Sequence, residues 1–519
     1  MNKLPTVTAS FIVALAVSSP AQQPDPIRAA AEALGAVNLT SLRFTGLGAN
    51  FSVGQSPSPA EPWPRVTVKN YAAAINYDVP SMRVEMVREQ GSIPPRGGGV
   101  PFTGEQRFIE FVSGSYAWNV PMAAPPPPAS PPATAPAAGA ARFVEQAPQA
   151  QPAAAAERML QIWLTPHGFL KAALANKATI RRVDDGTEVS FTMDGKHKFT
   201  GILNRRNQVE RVQTWLANPV LGDMPIEVVY SDYEPVDGGI WFPGRIIQKQ
   251  GGYPSLDLWI FSVQPNAPVD AAPPESVRTA APPRVQVEAQ KIAAGVHYLT
   301  GGSHHSVAIE MRDHVVVVEG PLNEERSLAV IAKVKETIPG KPIRFVVNTH
   351  HHFDHSGGLR TYADLGATIV THDLNRAYYE KAWTASRTLG PDRLAQSRRL
   401  PVFQTFTDKQ TLSDGVRTIE IHRIANSPHH EGFAMVYLPA EKLLIEADAY
   451  TPPPPAPPAA SSTAPAPPPA VVPQGPVVNP TTRNLYENIR RLKLDVERIA
   501  ALHGPRLATM DDLADVSGR

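Results

Sequence analysis

Phe345-Val346-Val347-Asn348-Thr349-His350-His351-His352-Phe353-Asp354-His355-Ser356-Gly357-Gly358 is the stretch on which the fold of this chain turns. An apolar run of the kind that forms a buried strand enters a loop with four imidazoles and a carboxylate, and a helix is expected beyond it. Alternate residues of an extended segment share a face, so His350 and His352 can point the same way. Asp354 and His355 then turn toward a second point nearby. Burying these groups without a cation is costly, whereas a divalent metal compensates their desolvation.

The flanking sequence changes period in a way that suits this loop. Val315–Val318, Ile343–Val347, Phe433–Tyr437 and Leu443–Ile445 read as strands. Between the first two, Asn323 is a candidate N-cap for a helix with Leu328, Ile331, Val334 and Ile338 on its apolar face and Pro339-Gly340 as its stop. Strands alternating with helices predict an α/β domain over 285–519. Of the 15 histidines only His167 and His197 precede residue 285, so the chemistry is expected in this half. Cysteine is absent, which excludes disulfides, iron–sulfur clusters and thiol nucleophiles and leaves His, Asp and Glu to hold any metal.

The order of motifs in this half resembles the metallo-β-lactamase superfamily, whose H-x-H-x-D-H signature is matched at 350–355. His429-His430-Glu431-Gly432 ahead of Val436-Tyr437-Leu438-Pro439 is similar to its second motif. Asp448 resembles its bridging carboxylate and His503, in Leu502-His503-Gly504, its last ligand. The resemblance implies an αββα sandwich with two zinc ions, other divalent metals being compatible with the donors. It assigns His350, His352 and His429 to one ion and Asp354, His355 and His503 to the other, with Asp448 shared. It further implies that Asp354 orients the attacking water and accepts its proton. His351 and His430 adjoin ligands and are candidates for roles behind them. His304 and His305, in Gly301–Ser306, border the expected cleft as candidate substrate contacts. His314, His372 and His422 read as ordinary core or surface imidazoles.

Upstream, 22–264 reads as a β-rich antiparallel domain after a short helix at Pro26–Leu34. Met82, Val84 and Met86 alternate, and Arg107–Phe111, Thr187–Met193 and Ile226–Tyr230 are further strand candidates. Asp185-Gly186, Asp194-Gly195 and Asp237-Gly238 are hairpin signals. Tyr230–Pro243 resembles a hairpin of periplasmic lipoprotein-carrier half-barrels. Of 55 prolines, 29 fall within 121–152, 265–283 and 452–480. These stretches are therefore expected to be solvated spacers: one inside the first domain, a linker at 265–284, and an insertion at 452–480 in the second. Lys3, the apolar run Ala9–Val17 and the small residues Ser19-Pro20-Ala21 predict a signal peptide over 1–21, cleaved near Ala21, and a periplasmic or secreted product.

With 49 Lys+Arg against 48 Asp+Glu, no electrostatic footprint for nucleic acid exists, and no stretch is apolar for long enough to span a membrane. The resemblance thus implies an exported dinuclear zinc hydrolase that uses a metal-bound hydroxide on a small-molecule ester, thioester, lactone or amide. Two alternatives stand beside it: a zinc β-lactamase, and a non-catalytic envelope binding protein with a structural metal site.

Overall fold

A computed structural model of the chain describes residues 25–91, 96–98, 104–123, 143–454 and 478–518. The predicted signal peptide lies outside these residues, as do the centres of the first proline-rich spacer and of the insertion.

In the N-terminal half, alternation of apolar and polar residues builds one 14-stranded antiparallel sheet. Ser41–Phe51, Arg65–Asn76, Ser81–Glu89, Glu105–Ser113 and Tyr116–Ala123 follow one another as a meander. A second meander runs from Thr179–Val183 to Tyr253–Pro265, and this last strand pairs with Ser41–Phe51 to join the two. The Asp194-Gly195 turn has both residues at positive φ, +52° and +64°, the conformation that tight hairpins favour.

Two helices not foreseen from sequence, Ala155–Leu164 and Pro166–Ala175, pack with Pro26–Ala33 against one face of the sheet. The core there takes Val84 and Val112 from one meander and Val189 and Phe199 from the other, so the sheet wraps round the helices. The first begins just beyond the predicted spacer 121–152, with no side-chain cap to mark its start. The second begins with a Thr165 side-chain cap on Gly168 N and Pro166 in its first turn, a legible start signal.

Proline-rich composition misplaces the edges of the spacers. Pro121 sits in the strand Tyr116–Ala123, and Val144–Glu145 and Gln149–Ala150 pair with that strand at the sheet edge. The linker 265–284 is exposed over most of its length, including all of 278–284, but it is pinned at Ala271 and Val277. Its helix Glu275–Arg278 buries Val277 against Ile109, Trp118 and Val120. One apolar side chain at the right place outweighs the proline around it.

The C-terminal half is the expected αββα sandwich. A seven-stranded sheet from Glu288–Ala293 to Val402–Phe406 faces a six-stranded sheet from Lys409–Ser413 to Leu507–Thr509. Val316, Val318 and Val347 of the first meet Ile421, Val436 and Ile445 of the second in one buried core. Helix Glu324–Thr337, capped by Asn323 as predicted, covers the outer face of the first sheet with Val330, Ile331 and Val334. Leu328 of the predicted apolar face is only half-buried. Helix Pro480–Leu492 covers the second sheet with Leu485, Tyr486 and Ile489. Pro480, the last residue of the predicted insertion, is thus the first of a helix.

His167 is fully buried, its Nε2 bonded to the Leu34 carbonyl at 3.1 Å, and burial lowers its pKa from 6.5 to about 4. The unfolded chain therefore takes up the proton first. The stability this group contributes is present above pH 6.5 and is lost as the pH falls toward 4, by up to about 3 kcal/mol. Urea titrations between pH 7 and 4 should show a shallower loss for His167→Gln than for the unsubstituted chain; equal slopes would contradict it.

Candidate metal centre

The ends of strands gather the polar residues at one rim of the sandwich. The loop 348–356 follows the parallel strand Ile343–Val347, and Glu319 follows Val315–Val318. Asp448 lies just past Leu443–Glu446, and His503 just past its parallel neighbour Arg498–Ala501. His429 comes from the loop before Ala434–Leu438, and His304 from the turn before Ser306–Glu310.

Asp448 stands at the middle of the cluster. Its Oδ2 lies 3.0 Å from His355 Nε2, 3.3 Å from His429 Nε2 and 3.6 Å from His350 Nε2. Its Oδ1 lies 2.9 Å from His503 Nδ1. The residue adopts φ of +60°, a left-handed conformation uncommon for anything but glycine and costly enough to mark a functional position. Glu319, at φ +76°, is the second such residue at the rim.

His350, His352, His429 and Asp448 place one ligand atom each within 4.8 Å of one another, which is the predicted first set with its shared carboxylate. The predicted second set divides. Asp354, His355 and Asp448 form one group, and His355 and His503 form another with His304. His304, foreseen only as a substrate contact, therefore stands inside the cluster: its Nε2 is 3.1 Å from Asp354 Oδ2 and its ring 4.1 Å from that of His503. His305 turns away and bonds the Gly504 carbonyl.

Hydrogen bonds behind the cluster decide which ring nitrogens are free. Thr349 donates its only hydroxyl proton to Glu319 Oε2 at 2.6 Å, so its oxygen accepts the Nδ1–H of His350 at 2.9 Å. The Nε2 lone pair of His350 then faces the cluster. His355 donates Nδ1–H to the same Glu319 oxygen at 3.2 Å, which likewise leaves its Nε2 pointing inward. Asn348 Nδ2 holds the other oxygen of Glu319 at 3.1 Å. Partners of this kind orient ligands and fix their tautomers. Glu319 was missed from sequence, where its only signal is an acidic residue ending a fully buried valine strand.

The charge balance calls for a cation. Burial disfavours the ionised form of Asp448, yet the imidazoles of His355, His350 and His429 hold its pKa well below the ordinary carboxylate range. Asp354 is held low against burial by His355 and by its bond to His304. Burial also disfavours charge on His355, but Asp448, Asp354 and Glu319 overcome it and raise its pKa well above normal. His350, pushed down to about 3 chiefly by burial, stays neutral. Ionised carboxylates with neutral His350 and His352, and a His355 whose positive charge a bound cation would replace, are the donor set of a divalent metal, so the residues present fit such an ion.

His351 and His430 sit behind the cluster, bonded to each other through Nδ1 and Nε2. Both stay neutral because burial lowers their pKa values. The residues read as ordinary imidazoles are so. His372 caps helix Asp373–Ala382 through Leu374 N, His422 bonds Glu420, and His314 bonds Asp313.

The family model described as the Metallo-beta-lactamase superfamily matches residues 299–500, a span that includes every cluster residue named above except His503. No curated protein matches the chain. Among solved structures, a metallo-beta-lactamase from Pontibacter korlensis is 17% identical, covering 45% of this chain and 97% of its own, with a TM-score of 0.32. One from Hirschia baltica is 21% identical, covering 45% and 96%, with a TM-score of 0.31. The DIM-1 metallo-beta-lactamase is 14% identical, covering 45% and 95%, with a TM-score of 0.30.

Replacing Glu319 by Ala leaves Thr349 Oγ1 and His355 Nδ1 without their acceptor. Divalent-metal affinity, measured by chelator competition, should fall by about 10- to 100-fold. Unchanged affinity would contradict the orienting role.

Proposed function

With residues 299–500 forming a domain of the metallo-β-lactamase superfamily, we propose that the protein is an exported hydrolase that works with two zinc ions on an ester, thioester, lactone or amide. The observation that carries this reading is the position of Asp448. One of its oxygens faces His350, His429 and His355 and the other faces His503, so a single carboxylate serves both groups of donors. Structural zinc sites are usually single closed tetrahedra of four protein ligands; a carboxylate shared between two donor sets suits catalysis better.

In this reading His350, His352 and His429 would hold one ion and Asp354, His355 and His503 the other, with Asp448 available to both. Zinc bound there supplies Lewis acidity to a substrate oxygen and lowers the pKa of water into the neutral range. The remaining work falls to side chains. Asp354 is ionised and its side chain is 27% exposed, which makes it the accessible carboxylate that orients the attacking water and accepts its proton. His304 fixes the carboxylate from one side through Oδ2. His503 is 41% exposed and lies at the mouth, where a substrate enters. Cysteine is absent, so the nucleophile is not a thiolate.

Export rests on the apolar run Ala9–Val17 and the small residues at Ser19-Pro20-Ala21. Among the described residues no helix is long and apolar enough to cross a membrane.

Hydrolysis of lactone, thioester, ester and β-lactam probes should be assayed for the unsubstituted chain, Asp354→Asn and His350→Ala, each with its metal content. Asp354→Asn should lose about a hundred- to ten-thousand-fold in rate on the preferred class, and His350→Ala should lose metal as well. A zinc-loaded protein inert on every probe would overturn the hydrolase reading, and turnover of the β-lactam alone would narrow it to a zinc β-lactamase.

A further inference from the structure

The metal cluster belongs to the C-terminal half, yet the segment Gly54–Pro57 of the N-terminal half is seated directly on it. Ser56 offers its carbonyl to His352 Nε2 at 2.8 Å and its hydroxyl to His351 Nε2 at 2.9 Å. Gln55 donates its amide to Asp354 Oδ1 at 2.7 Å. The Gly54 carbonyl accepts from Phe353 N at 3.3 Å and the Pro57 carbonyl from Glu431 N at 2.8 Å. Four consecutive residues thus grip both motif loops of the cluster, each at least 295 positions away in sequence.

The seat is shaped for this segment. Phe353, between His352 and Asp354, lies with its ring edge-to-face against Trp63 and against the backbone of Gly54. A Cβ at residue 54 would come within 2.4 Å of the Phe353 ring, and Gly54 has φ of +76°, so glycine is required by space and by backbone alike. Behind it, Gly98 N bonds the Gln55 carbonyl and Gly97 N reaches across to the Pro428 carbonyl, next to His429.

A carbonyl oxygen only accepts, so the His352 bond to Ser56 places the ring proton on Nε2 and leaves Nδ1 as a lone pair. That Nδ1 is buried, with no hydrogen-bond partner among the described residues, and His352 belongs to the group with His350, His429 and Asp448. Glu319, inside the C-terminal half, orients His350 through Thr349 and orients His355 directly. For His352 the corresponding partner comes from the other half of the chain. Asp354 is held in the same way: His304 meets one oxygen and Gln55 the other.

We propose that Gly54–Pro57 is a working part of the metal centre, with the Ser56 carbonyl positioning His352 and the Gln55 amide positioning Asp354. The N-terminal half is then an orienting wall of the site and not a separate module joined to it. This rests on the metal-centre reading above. A second contact between the halves lies elsewhere. Arg387 donates to the carbonyls of Asn218, Pro219 and Val220, while Asp223 accepts from Thr388 and from Leu389 N. It touches none of the cluster and supplies the control.

The test is cobalt(II) titration of the full chain, followed by the visible d–d bands that report ligand geometry, with melting curves in parallel. Gly54→Ala should weaken the ion held by His352 by about 10- to 100-fold and shift its bands. Gln55→Ala, a truncation that adds no atoms, should perturb the bands of the ion held by Asp354. Asp223→Ala should lower the melting temperature without moving either set of bands. If the unsubstituted chain binds two equivalents and both loop variants match it in affinity and spectrum, the positioning role is wrong while the metal centre stands. If Asp223→Ala alters binding as much as Gly54→Ala, general docking is responsible and the proposal fails. If the unsubstituted chain binds no cobalt, the metal-centre reading falls and this inference with it.

Discussion

A buried carboxylate ringed by imidazoles is the constraint from which the rest of the architecture follows. Asp448 is held low in pKa by three histidines while taken out of water, and such an arrangement is costly unless a cation shares the space. The two parallel strand ends that carry Asp448 and His503 and the strand end that carries the His350–His355 loop must meet at one rim. The valine- and isoleucine-rich sandwich beneath makes that meeting rigid. Asp448 and Glu319 adopt the left-handed conformation just past the ends of packed strands.

The orienting groups show how the site is kept ready to coordinate. Each of His350, His352 and His355 gives one N–H to an acceptor behind it, by way of Thr349, Ser56 and Glu319 respectively. Each is left with one nitrogen facing inward. The acceptors come from three separate parts of the chain, so the centre is complete only when the sandwich and the N-terminal sheet are both in place.

The ligand loop and the α/β character of this half were legible in the sequence because their signals are local, whereas the αββα arrangement was implied only by the resemblance of the motif order. Ligands two to five residues apart on one loop announce themselves, and a buried strand such as Val315–Val318 reads as one. Glu319, Gln55 and Ser56 were not legible, since each is an ordinary polar residue that acquires a role only through contacts made hundreds of positions away or across a strand. Composition misled where one residue overrode it. Val277 pins part of a proline-rich linker onto the sheet, and Pro121, inside a predicted spacer, pairs with Phe108 in a strand. His304 lay between these cases: its place before a strand was visible, but its stacking on His503 and its bond to Asp354 were not.

The measurement that bears most directly on this account is anomalous diffraction at the zinc edge from crystals of the full chain. The account predicts two peaks, one enclosed by His350, His352 and His429 and one by Asp354, His355 and His503, with Asp448 between them. A single peak, or peaks away from Asp448, would contradict it.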